Sequence, residues 1–405
     1  MPDQLPLTRN DLEFLPIPRD TQPIILIRDH LGLVEAGKAI APHLYQFLTL
    51  LDGTKTVRDL QAELMRQRGG VLVSADEVGR LLAKLDEAFL LNSERYQKAK
   101  NQIVAQFTDS PRRSCSHCGR SYPGTPSELK NYLDQILAIR TAAMPPQGNL
   151  LALVAPHIDL AAGARVYASA YQMLRFTHPS RVVLMGTGHH VGEALFCLTD
   201  KDFETPLGVV KNEPGLVREL RQVGGEFIAT NDFAHRSEHS IEFQLLFLQH
   251  LLGPQTFTIL PILCGSFRAS LSAYSREALR GGAGAFLQKL GQFVNEETLV
   301  VAGIDLSHVG LKFGHAMPAA YLERQSKAHD TALLNYLTQL DVEKFWAESA
   351  RVEDRFHVCG FSTLASLLEL LPPCQGEVLD YEIRHEDVTR SAVSFAAVVF
   401  TSSAG

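Results

Sequence analysis

Seven side chains able to hold a metal ion or carry a proton form a distributed set, His157, His189, His190, His239, Asp305, His308 and Cys359, and five of them follow apolar runs. Imidazoles suit iron, copper, nickel and zinc, and two histidines with one anionic ligand and open positions is the pattern of non-heme iron oxygenases. Each residue alone has a plainer account. A histidine after a strand commonly bonds its own loop, the His189-His190 pair can satisfy turn backbone, and Asp305-x-x-His308 can cap a following helix. The joint pattern points to a metal or acid/base site, with Asp305 and His308 on one face of a first helical turn.

The elements that must position these groups are strands. Leu151-Ala-Leu-Val-Ala-Pro-His157, Arg181-Val-Val-Leu-Met-Gly-Thr-Gly-His189-His190 and Leu299-Val-Val-Ala-Gly-Ile-Asp305-Leu-Ser-His308 are short continuous apolar runs bounded by turn residues. Such runs suit strands covered on both faces, and in open α/β sheets ligands bind outside the carboxyl ends of such strands. Strand-like and helix-like runs alternate over 150–400, which predicts an α/β domain with a mostly parallel sheet flanked by helices. Helices are expected over 161–174 and 361–371, and a strand over 258–263. An amphipathic helix with Ile241, Leu245, Leu248 and Leu252 on one face is expected after Glu238-His239-Ser240.

Other chemistries are disfavoured by their missing parts. Gly186-Thr-Gly188 begins like a dinucleotide fingerprint, but Val191 stands where its third glycine belongs. The chain has no phosphate-binding loop, no His-Glu-x-x-His and no Gly-x-Ser-x-Gly elbow. Cys115-Ser-His117-Cys118 has no second Cys/His pair nearby to complete four zinc ligands, so surface or packing thiols are expected.

With 405 residues, 45% of them hydrophobic, the chain has enough apolar material for two domains. A net charge of -7 supplies no field for nucleic acid. No run approaches the roughly 20 apolar residues of a membrane span, and the N-terminus lacks the features of a signal peptide, so a cytoplasmic protein with reduced thiols is expected.

The first hundred residues differ in character. A strand is expected over 22–28, then a helical pattern through Leu50-Leu51, a turn at Asp52-Gly53-Thr54, a helix from Thr56 and a third after Ser74. This predicts a small α+β domain over 1–100, ahead of a larger one over 112–405. The segment resembles PqqD-like winged-helix domains in Leu51-Asp-Gly-Thr-Lys-Thr56 and Leu85-Asp-Glu-Ala-Phe-Leu-Leu91. The resemblance implies docking of a peptide or partner; a passive dimerisation or folding appendage suits the same residues.

The larger domain resembles the Memo family, the proteins labelled component B of the AmmeMemoRadiSam system. The matching motifs are Ser116-His-Cys-Gly119-x-x-Tyr122-Pro123, Ala155-Pro-His157, Gly188-His-His190, Thr205-Pro-Leu-Gly208, Glu238-His-Ser-Ile-Glu242, Asp305-Leu-Ser-His308 and Cys359-Gly360. Through that family the domain resembles LigB-type extradiol dioxygenases. The resemblance implies that His157 and His189 bind metal and that Cys359 takes the place of a carboxylate ligand. It makes His239 and His308 proton-transfer groups, with Asp305 orienting one of them. A thiolate ligand favours Fe(II) or copper over Mg or Ca and makes the site oxidisable, and zinc ranks lower.

The function so implied is metal-dependent redox activity in a radical-SAM-associated system. The alternative is a non-catalytic metal- or peptide-binding adaptor serving a radical-SAM partner through the N-terminal domain. A zinc hydrolase with Glu238 as base ranks last. Two departures stand out: Cys118 replaces a small residue, and Ile158-Asp159-Leu160 replaces Ala-Gly-Tyr, which adds the Asp159 carboxylate beside the site.

Overall fold

The computed structural model describes residues 5–17, 23–141 and 148–402. They fall into two compact units that meet in sequence at Asp109 and Ser110. In the N-terminal unit, strands Leu12–Ile17, Ile24–Asp29 and Ala39–Ile40 form an antiparallel sheet; Gln22, at the start of the expected strand, lies outside the described residues. Three helices follow, Pro42–Thr49, Val57–Gln67 and Ala75–Glu87. The second and third begin where Thr56 and Ser74 close capping boxes with Asp59 and Glu77, each satisfying two otherwise orphaned backbone donors. The polar stretch after them folds as a helix, Glu94–Asp109.

Eleven strands of the C-terminal unit form one sheet. In chain order they are β1 Arg112–Ser114, β2 Leu150–Ala155, β3 Arg181–Thr187, β4 Phe196–Leu198, β5 Asp202–Thr205, β6 Gly208–Asn212, β7 Thr258–Cys264, β8 Thr298–Gly303, β9 His308–Gly310, β10 Cys374–Glu386 and β11 Ser391–Ser402. The spatial order is β9-β11-β2-β8-β3-β7-β6-β5-β1, with β10 also on β11 and β4 also on β7. From β2 through β6 every neighbour is parallel. Antiparallel strands extend the sheet on both sides.

Side chains of the parallel strands alternate between two cores, as the two-residue period of a strand requires. Ala152, Val154, Val183, Met185, Ile262, Val300 and Ala302 join one core, with Leu279, Phe286, Phe345 and Leu364 from the helices on that face. Leu153, Ala155, Val182, Leu184, Leu263, Leu299 and Val301 join the other, with Leu129, Tyr167 and Phe247. Both faces are therefore covered, and the unit is a three-layer α/β fold.

The helices of the second face are α1 Pro126–Leu137, α2 Ala164–Tyr171 and α3 His239–Leu252. Helix α3 is not amphipathic as expected: it is buried all round from Ser240 to Gln249. It lies against β3 and β8 on one side and against α1 on the other, so no face is left for water.

Two glycines explain how α3 reaches the strand ends. Gly186 and Gly303 are paired across β3 and β8. A Cβ on Gly303 would meet the Ser240 carbonyl oxygen at 2.2 Å, and one on Gly186 would meet the Ser240 hydroxyl at 2.4 Å. Only hydrogen at both positions lets the first turn of α3 sit on the sheet rim. Gly186 thus serves close packing, and the likeness to a dinucleotide loop is incidental.

Candidate metal centre

Strand β8 lies between β2 and β3, with Gly303 in register with Ala155 on one side and Gly186 on the other. The histidines just past the carboxyl ends of β2 and β3 therefore converge, and Cys359 joins them from the segment before another helix. One donor atom each from His157, His189 and Cys359 lies within 4.8 Å of the others.

His157 follows β2 and is 2% exposed. Its Nδ1 donates to the Gly303 carbonyl at 3.1 Å, which leaves Nε2 facing Cys359 Sγ at 3.5 Å. Burial, and then the positive charge of His239 and His189, hold this imidazole well below its ordinary range, so it is a neutral donor. Asp305 fixes the loop behind it, accepting the His157 and Ile158 amides at 3.0 and 3.2 Å. Burial pushes the Asp305 carboxyl up to about 7, and its Oδ2 lies 3.6 Å from His157 Nε2.

His189 follows β3. Its amide donates to Glu238 at 3.0 Å, and its Nδ1 lies 3.0 and 3.1 Å from the two Glu238 oxygens. Burial works against charge on this ring, but the Glu238 carboxylate and the Cys359 thiol outweigh it and raise His189 well above the usual range. Glu238 also caps α3, accepting the His239 and Ser240 amides. Burial alone would raise this carboxyl; His189 and these hydrogen bonds hold it well below. A carboxylate behind the Nδ1 of a histidine is the arrangement that orients metal-binding imidazoles.

Cys359 precedes the helix Phe361–Leu370. It arrives through a segment in which Glu353, Asp354 and His357 all have positive φ, at 52°, 63° and 46°. Such conformations cost roughly 1–3 kcal/mol each and collect where function demands them. Gly360 completes the delivery: its amide donates to the Asp305 carbonyl at 3.0 Å, and a Cβ there would lie 2.6 Å from that oxygen.

His239 stands over the ligand rings, its centroid 5.1 Å from that of His157 and 5.2 Å from that of His189. Burial holds it down to about 4, with Glu238 opposing and His189 assisting. On its far side lie His117 at 5.6 Å and Phe243 at 5.4 Å.

The expected helical turn at Asp305-x-x-His308 does not form. The Leu306 amide donates to the Ser394 carbonyl and the Ser394 amide to the Ser307 carbonyl, so β11 draws the segment into the sheet and His308 opens β9. His308 Nδ1 lies 3.0 Å from the Leu306 carbonyl, and the ring packs on Phe313. Burial holds it down to about 4, and it feels the charge of His189 without joining the ligand group. His190 is exposed and also outside that group. Asp159 accepts the Ala161 and Ala162 amides, capping the turn before α2 instead of facing the metal position.

Glu242, which sequence reasoning left without a role, is completely buried. It is ion-paired with Arg113 and accepts the Ser116 and His117 amides at 3.0 and 2.9 Å, the Ser116 hydroxyl at 3.0 Å and the Tyr122 hydroxyl at 2.5 Å. Burial would raise this carboxyl; Arg113 and the donors hold it well below its usual range. The spacing Glu238-x-x-x-Glu242 put two carboxylates one helical turn apart, which was the available signal.

The class of protein is thus an α/β domain with a His/His/Cys donor set at the carboxyl rim of its sheet. A family model described as Memo-like protein matches residues 113–399, and the chain belongs to the Memo family. A MEMO1 family protein of Aquifex aeolicus is 30% identical over 387 residues, covering 94% of this chain and 98% of the relative. One from Thermus thermophilus is 28% identical over 85% of this chain and 99% of its own length. One from Nitrosopumilus maritimus is 26% identical over 70% of this chain and 97% of its own length. The family model thus falls within the C-terminal unit, and the alignment with the Aquifex aeolicus relative is long enough to extend beyond that unit.

Proposed function

We propose that the rim binds one redox-active metal ion, Fe(II) or copper, through His157 Nε2, His189 Nε2 and Cys359 Sγ, and that the protein is a metal-dependent oxidoreductase of extradiol dioxygenase ancestry. The observation that carries this reading is the direction of the imidazoles. Each has Nδ1 committed to a protein acceptor, Gly303 or Glu238, and Nε2 left for the centre of the group. Metal bonds of about 2.0–2.3 Å to nitrogen and sulfur set two donors of one ion up to roughly 4.4 Å apart, a span this group meets by small closure. Two imidazoles and a thiolate suit iron and copper, and zinc ranks behind them.

A metal held there supplies one-electron chemistry and an open coordination face. The chain supplies the rest. Asp305 fixes the His157 loop, Glu238 fixes the His189 ring, and His239, above both rings, is the group placed to take or return a proton. His308 is a more distant proton carrier, reached through His189. The thiolate in place of a carboxylate argues against simple transfer of ring-cleaving activity. The N-terminal unit, read as a PqqD-like winged helix, would dock a peptide or a radical-SAM partner, and a reducing cytoplasm would keep Cys359 unoxidised, its proton leaving when a metal binds.

Elemental analysis of protein purified without oxygen tests this. About one iron or copper per chain is expected, and both His157→Ala and His189→Ala should be empty; full metal in both variants would sink the assignment. Oxygen uptake by the loaded protein with catechol-like compounds separates an enzyme from an adaptor: no uptake, with tight peptide binding by the full chain, would favour the adaptor.

A further inference from the structure

Asp330 lies on the helix Glu323–Thr338, outside the ligand group of the rim, and is fully buried. What meets its carboxylate is three hydroxyls, each from a different element. Ser307, in the rim segment, donates to Oδ1 at 2.6 Å, while Ser394 of β11 and Tyr381 of β10 donate to Oδ2 at 2.5 and 2.8 Å. Among the described residues no arginine or lysine pairs with it. A buried carboxylate met by hydroxyls alone is a costly way to fill a core, so packing gives little reason for it. Its contacts suggest another. With its proton directed to Asp330, the Ser394 hydroxyl turns a lone pair to the Ser307 amide, which it accepts at 2.9 Å. Both the amide and the hydroxyl of Ser307 are thus gripped, and the carboxylate aims the grip.

That grip reaches two of the three ligands. Two residues before Ser307, the Asp305 carboxylate holds the His157 and Ile158 amides. The Asp305 carbonyl accepts the Gly360 amide and lies 3.5 Å from Cys359 Sγ. His189 is served separately, by Glu238. The same helix supports the segment at a second point: His329, beside Asp330, packs its ring 5.5 Å from that of Phe356, whose carbonyl accepts the His308 amide at 2.7 Å. We propose that Asp330 is a positioning residue of the metal centre: through Ser307 and Ser394 it sets the Asp305 segment, and thereby the places of His157 and Cys359 but not that of His189. The consequence for metal binding rests on the function proposed above; the positioning of the side chains does not.

Two measurements on the full chain test it. Amide hydrogen exchange in the metal-free protein should be on the order of tenfold faster at His157 and Ile158 in Ser307→Ala and in Asp330→Asn, and unchanged at His189. Iron(II) alone, titrated without oxygen against a competing chelator, should bind both variants about 10–100-fold more weakly than the parent. Tyr381→Phe is the control, because it removes the one hydroxyl on Asp330 that does not bond the rim segment. It should leave exchange at His157 and iron affinity at parent values. Parent exchange rates at His157 and Ile158 in both variants, an equal rise at His189, or the same loss of iron in Tyr381→Phe would each overturn the positioning role. A parent that binds neither iron(II) nor Cu(I), with the exchange pattern as expected, would remove the metal reading and still support the positioning.

Discussion

Glu238, the N-cap of α3, and Glu242, in its first turn, are both buried and both held well below the usual carboxylate range, and they do different work. Glu242 takes every donor it can accommodate from the single segment 113–122, including a full countercharge from Arg113. Nothing in that network points outward. Glu238 also accepts several donors, but one of them is the Nδ1 of an imidazole that joins His157 and Cys359 in the donor group of the rim. A buried polar cluster that satisfies itself makes structure, whereas the Glu238 cluster leads on to two imidazoles and a thiol held to one another only by weak sulfur contacts. The N-terminal unit repeats the first type, with buried Arg9 held by Asp29 at 2.7 Å and Asp11 at 2.9 Å.

The sharpest way to break this contrast is to truncate the closed network. Glu242→Ala leaves Arg113 buried without a partner and should cost about 3–5 kcal/mol in urea unfolding, with metal per folded molecule unchanged. A variant as stable as the parent would mean the network is not structural. The open cluster should behave in reverse. Iron or copper at about a hundred times its dissociation constant should add roughly 2.7 kcal/mol to the parent and nothing to His157→Ala. A parent whose unfolding ignores every divalent metal and Cu(I) would remove the contrast altogether. Between these lies Glu238→Gln, which keeps an acceptor for the helix cap and loses the charge behind His189. It should weaken metal binding about 10–100-fold in a competition titration, with the helix intact by circular dichroism. Unchanged affinity would show that Glu238 serves only the cap.

The sequence carried the three strands and their order of burial because they are buried on both faces, so composition alone marks them. It also carried the convergence of His157 and His189, which needs only that β8 lie between β2 and β3. The turn at Asp305 was misjudged because its geometry is decided by β11, some ninety positions later in the chain, through bonds to Ser394. The amphipathic reading of α3 failed for a related reason: periodicity shows which face is most apolar, not whether α1 covers the opposite one. The motif from Glu238 to Glu242 spans one helical turn, but spacing leaves the partners, the His189 imidazole for one and Arg113 for the other, to the tertiary fold. Gly186 drew attention as part of an incomplete dinucleotide fingerprint, whereas its cause, shared with Gly303, is the approach of Ser240 from another element.

The smallest expected effect is also the most specific. Tyr122→Phe keeps the ring against Phe243, 6.2 Å away, and removes only the hydroxyl that donates to Glu242. A hydrogen bond to a charged acceptor suggests a loss of about 1.5 kcal/mol at neutral pH. Glu242 is a carboxyl whose folded value is depressed, so its stabilisation is complete above the unfolded value near 4.3 and is lost as pH falls through the folded value. Losing one donor should move that folded value upward. The stability gap between parent and variant should then be constant from neutrality down to the variant's folded value and narrow below it, as the carboxylate is protonated first in the variant and then in the parent. Urea unfolding at a series of pH values measures the gap. A gap that holds its size to the acid limit of folding would assign the hydroxyl's contribution to packing, and the closed network would then rest on Arg113, the Ser116 hydroxyl and the two backbone amides.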